Sequence, residues 1–180
     1  ARASCIVMPR DLQQHHGRER HVVAGGGALL LQMGQGDRFT LINDEGGQPA
    51  EIIAARLNGQ IDAALIGLTS NSDGNGLKTL LSAGAIEPGL ARLRSGLAVR
   101  GIDLSKAGAS TFFDVFSVAK TSINFSANEA GWLVIAAPGH HMLPGEQSTL
   151  TPVTLMVERA VPRLVGRFDL PDPLADPLQD

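Results

Sequence analysis

The chain has 180 residues, 43% hydrophobic and 18% charged, enough for one ordinary domain with a buried core. A net charge of -3 leaves no basic surplus to neutralise phosphates, and 4% aromatic residues with no Tyr leave few platforms for stacking bases. Both facts argue against nucleic-acid binding. The single cysteine, Cys5, rules out an internal disulfide and a cysteine-rich zinc site within the chain, and suits a reducing, cytoplasmic setting. No run approaches the ~18 apolar residues of a membrane span, so no membrane partner is expected. The first twenty residues lack the apolar core of a signal peptide, and Asp11 and Glu19 do not suit a transit peptide.

Residues 1–20 read as a polar N-terminal arm with one short apolar patch, "CIVM", ended by Pro9. A β-rich domain is expected over 21–166. Short apolar runs follow one another from His21, separated by turn signals: "GGG" at 25–27, "GQGD" at 34–37, "DEGG" at 44–47 and "NGQ" at 58–60. In "RFTLIN", Phe39 and Leu41 should face one side and Arg38 and Thr40 the other. Asn58-Gly59 is a hairpin signal, because both residues tolerate positive φ.

The middle changes character. "TSNSDGNG" at 69–76 is a polar loop, and "LKTLLSAG" at 77–84 reads as one or two helical turns stopped by Gly84. From 87 to 108 the text is ambiguous: Leu90, Leu93 and Leu97 have helical spacing, while Gly89 and Gly96 oppose a helix. Strand-like runs then return in "STFFDVFSVA", "INFSA", "GWLVIAAP" and "VTLMVERAV". Glu158 and Arg159 in the last run should face opposite sides and not pair with each other. Residues 167–180, "RFDLPDPLADPLQD", have the Pro- and Asp-rich text of an extended linker or tail. The fold class expected is mainly β, a sandwich or distorted barrel with one or two short helices.

The stretch "HVVAGGGALLLQMGQGDRFTLINDEGGQPAEIIA" resembles the opening of the urea-carboxylase-associated family. The carrying pattern is a basic-apolar strand, a G-D turn at Gly36-Asp37, an apolar strand, and an acid-glycine-glutamine turn at Asp44, Gly47 and Gln48. "SINFSANEAGWLVIAAPGHHM" is compatible with that family's closing strands. Related domains stand at the N-terminal side of multidomain tertiary-amine-oxide demethylases that carry a folate-binding, aminomethyltransferase-like domain. The resemblance implies a domain of such a one-carbon enzyme, with further domains or chains as partners and a homo-oligomeric assembly. Zinc-bearing members use several cysteines, and this chain has only Cys5, outside the resembling stretch. No cofactor is therefore assigned within this chain, and zinc and tetrahydrofolate are placed in the wider enzyme.

Several residues could carry chemistry. In "INDEGGQP", Asp44 and Glu45 could hold a hard cation through oxygen, but a calcium loop needs more oxygens at fixed alternation. The structural reading is a hairpin turn in which Gly46 or Gly47 takes positive φ and Gln48 re-enters a strand. Gln48 and Glu51 are candidate pocket residues, and Asp73, with Asn75, stands at the tip of a loop that could gate a ligand. His140-His141, with a carboxylate such as Asp114 or Glu129, is an alternative metal site of imidazole–carboxylate type; the plain reading is a polar loop between Pro138 and Pro144. His15-His16 lies in the polar arm. The "GGG" run has no phosphate-loop context, and a GxSxG elbow is absent. Cys5 has only Arg2 and Arg10 nearby to activate it. Trp132 reads as a core residue whose N–H is bonded to a backbone carbonyl.

Two functional classes follow. One is a zinc-free, non-catalytic β domain that contributes packing, oligomer contacts or a pocket wall, with the catalytic site outside this chain. The other is an independent small-molecule-binding or metal-assisted enzyme built on the His140-His141 loop.

Overall fold

Burial with a period of two marks which strands have one covered face and which have two. The computed structural model describes residues 6–7, 17–83, 88–106, 108–139 and 150–161. In β2 (Arg18–Val23) and β4 (Arg38–Asn43) buried and more exposed residues alternate, and Phe39 and Leu41 point inward as expected. In β3 (Ala28–Met33) and β5 (Ala50–Arg56) nearly every residue is buried, because both faces of their sheet are covered. The remaining strands are β1 (Ile6–Val7), β6 (Ser110–Phe112), β7 (Thr121–Ser126), β8 (Gly131–Ala136) and β9 (Val153–Glu158).

These strands form two sheets, ordered β1-β3-β8-β5-β6 and β2-β9-β4-β7. Every pairing is antiparallel except that of β1 with β3. The sheets face each other across a core that includes Leu29, Leu31, Phe39, Leu41, Leu133 and Leu155, and Phe39 stacks on Phe125 at 5.1 Å between centroids. The fold is a sandwich, not a barrel.

Two helices cover the outer face of the five-stranded sheet. Helix α1 is Asn75–Ala83 and α2 is Pro88–Val99. Pro88 begins α2, where its missing N–H costs nothing. Leu90, Leu93 and Leu97 are buried against Leu30, Ile53 and Val134 in a second core. Helical spacing therefore prevails over Gly89 and Gly96, since the packed stripe outweighs their propensity cost of about 1 kcal/mol each.

Three expectations need correction. The 44–49 segment is not a hairpin: Asn43 ends a strand of one sheet and Ala50 begins a strand of the other, so the segment crosses between sheets. Gln48 precedes that strand and is not part of it. In "STFFDVFSVA" only Ser110–Phe112 is strand, and residues 113–120 form a turning loop. The Asn58-Gly59 turn is present. Gly59 N donates to Arg56 O, Arg56 N donates to Gln60 O, and Gly59 has φ +93°. It returns the chain to a single bridge, Ala55 to Ile61. No helix among the described residues is long and apolar enough to cross a membrane.

Candidate functional site

Backbone geometry explains most of the crossover loop. Gly46 and Gly47 both take positive φ, +84° and +70°. A Cβ on Gly46 would stand 2.6 Å from Ser117 O, so only glycine fits against the 113–120 loop. Asp44 is partly buried and accepts from Thr154 Oγ1 at 2.6 Å and from Lys120 Nζ at 3.3 Å. Gln48 is 2% exposed. Its Nε2 donates to Pro49 O and to Pro138 O at 2.7 Å, its Oε1 accepts from Thr151 N, and its own carbonyl accepts from Asn43 Nδ2. This carboxamide staples the crossover to the ends of β8 and β9.

Glu51 is also buried. Its two carboxylate oxygens accept from Gly76 N at 2.9 Å and Leu77 N at 2.8 Å. These amides open α1, where unpaired N–H groups and the helix dipole favour an anion. A strand residue thus anchors the helical layer to the sheet. Gln48 and Glu51 do share a neighbourhood, since Pro138 lies against both Gln48 and Gly76. Glu45 and Asp73 are exposed. The five candidates therefore divide into three bonded structural groups and two solvated carboxylates, and no nucleophile and base are placed together among them.

The larger polar feature was not anticipated. Glu19, His21, Asp37 and Arg159 are all buried and meet at one end of the sandwich. Arg159 Nε donates to Glu19 Oε2 at 2.6 Å, and Nη1 donates to Asp37 Oδ2 at 2.7 Å and Gln32 O at 2.8 Å. Asp37 also accepts from Gly34 N and Ala160 N, closing the turn between β3 and β4. His21 stands in this interior with Nε2 unpartnered. Burial holds its pKa below the ordinary histidine value; Glu19 opposes this and Arg159 reinforces it. Arg159 and Glu158 do face opposite ways, and Glu158 pairs outside with Arg38 at 2.7 Å. The missed signal was phase: Arg159 continues the inward series Val153, Leu155, Val157, and Glu19 and His21 lead into Val23.

Trp132 corrects another expectation. Its Nε1 is buried without a hydrogen-bond partner, and its ring face carries the Arg100 guanidinium at 4.5 Å in a cation–π contact. Of the carboxylates offered to a metal, Asp114 accepts from Phe116 N in a local turn and Glu129 accepts from Arg56 Nη1. His140, His141, His15, His16, Cys5 and the 167–180 tail lie outside the described residues. Among the described residues no group of three or more His, Cys, Asp or Glu side chains is arranged to hold a metal ion.

Fold and polar chemistry together define a helix-backed β-sandwich whose buried polar side chains mostly bind its own backbone and one another. The trimethylamine-oxide aldolase of Ruegeria pomeroyi is 45% identical over 177 residues, which is 98% of this chain. The chain spans 22% of that relative's length. No protein-family model matches the chain. A solved DUF1989 family protein from Silicibacter pomeroyi superposes with a TM-score of 0.47 and 10% identity, over 93% of this chain and 94% of that one.

Proposed function

We propose that this chain is a β domain of a longer one-carbon enzyme of the trimethylamine-oxide aldolase kind. The carrying observation is the 45% identity along nearly the whole chain to a protein of which it matches only a part. The overall reaction would split trimethylamine N-oxide into dimethylamine and formaldehyde. That conversion is balanced in atoms and electrons and needs no external oxidant. The one-carbon unit would pass to tetrahydrofolate bound elsewhere in the polypeptide, where zinc would also sit.

The domain's own part is architectural: packing surface, subunit contacts or one wall of a pocket. The use of Asp44, Gln48 and Glu51 in structural bonds supports this reading. The likeness to the urea-carboxylase-associated family at Asp37, Asp44, Gly47 and Gln48 fits it too, because three of these close turns or staple the two sheets. The test is to incubate the full-length protein with trimethylamine N-oxide. Dimethylamine and formaldehyde should appear in equal amounts, with free formaldehyde falling when tetrahydrofolate is added. Unconsumed amine oxide would overturn the proposal.

A further inference from the structure

One edge of the sandwich is built differently from the rest. Among the described residues β6 and β7 are the last members of their sheets, and residues 113–120 join them. This loop exposes three apolar side chains: Val115 at 44%, Phe116 at 87% and Val118 at 73%. It is held firmly in place. Asp114 N donates to Ser117 Oγ, Phe116 N donates to Asp114 Oδ1, Gly47 N donates to Ser117 O, and Lys120 N donates to Asn43 O. Phe113 and Lys120, at its ends, adopt φ +63° and +68°, a region that side chains with a Cβ rarely enter. Such strain persists where the surroundings enforce it, and it marks functional segments.

The strand beside the loop is unguarded. β7 reads "TSINFS", with no charge and no proline. Natural sheets protect an open edge with just such residues. The edge strand β2 of the same sheet does so, with Arg18 and Arg20 turned outward.

We propose that the β7 edge and the Val115–Phe116–Val118 cluster form the surface on which the rest of the same polypeptide docks. This rests on the reading that the chain belongs to a longer enzyme. In the relative, the matching segment is 22% of one chain. The remainder is therefore tethered to it, and a tethered surface meets the patch at high effective concentration. The partner surface would offer an apolar recess for Phe116 and a strand or loop to pair with β7.

Hydroxyl-radical footprinting of the full-length protein tests this, read at Phe116 by mass spectrometry over a dilution series and alongside the amine-oxide assay. Phe116 should react at least about tenfold more slowly than it does in the urea-unfolded protein, as in a buried interface core, and equally so at every dilution. Reaction at the unfolded rate would overturn the inference, and an active enzyme in the same sample would leave the functional proposal standing. Protection that fades on dilution would also overturn it, since a second copy would then be the occupant. An inactive protein with Phe116 protected at all dilutions would support the docking surface and refute the one-carbon reading.

Discussion

Replacing Arg159 by Met should strongly destabilise the described fold. The Arg159 side chain is 3% exposed, and those of its partners Glu19 and Asp37 are 6% and 4%. Met fills much of the volume but leaves two carboxylates in the interior without a counter-charge, and the Gln32 carbonyl without its donor. Removing one partner of a buried ion pair costs about 3–5 kcal/mol, because the remaining charge stays desolvated. Against a domain stability of about 5–15 kcal/mol, that is a large share. Urea unfolding followed by the fluorescence of Trp132, the chain's single tryptophan, would measure it. The triple variant Arg159→Met, Glu19→Gln, Asp37→Asn removes these three charges together and should recover more than about half of the loss. A loss below about 1 kcal/mol for Arg159→Met, as for a solvent-exposed pair, would refute the reasoning.

Three further outcomes are expected. His21 has a lowered pKa in the folded state, so the unfolded chain binds its proton first. Stability should therefore fall as pH drops below about 6.5, and His21→Leu should flatten that limb of a pH series of urea midpoints. Glu51→Ala should destabilise by about 2–3 kcal/mol by leaving the Gly76 and Leu77 amides unpaired, and Glu51→Gln by less; unchanged urea curves would show that Glu51 does not anchor α1. Gly59→Ala should lower the thermal midpoint, because Gly59 has φ +93° and a Cβ there would stand 2.3 Å from Gly101 O. The expected cost exceeds about 1 kcal/mol, and an unaltered midpoint would contradict the close approach of the two backbones at this turn.

What was legible in the sequence was whatever depends on local period. Strand β4 alternates because only one of its faces is covered, and its facing could be read from four residues. α2 was readable from Leu90, Leu93 and Leu97, though its two glycines obscured it. The apolar text of β3 and β5 carried a further message: it signals a sheet covered on both sides, here by helices on one face and the second sheet on the other. The crossover at 44–49 was not legible, because Asp, Gly and Pro serve a hairpin and an inter-sheet connection equally well. Nor were the roles of Gln48 and Glu51, whose partners Pro138, Thr151, Gly76 and Leu77 are distant in sequence. The charged cluster was half legible. The inward phase of Arg159, Glu19 and His21 could be counted along each strand, but their meeting depends on β2 and β9 pairing across the chain.

The exposed carboxylates bear most directly on whether chemistry resides in this domain. Glu45→Gln and Asp73→Asn, combined in the full-length protein, alter neither a core contact nor a buried bond. Turnover of trimethylamine N-oxide should stay within about twofold of the unaltered enzyme, as for groups outside the reacting centre. A loss of about a hundredfold or more in a folded, soluble variant would place catalysis on this sandwich and contradict its architectural role.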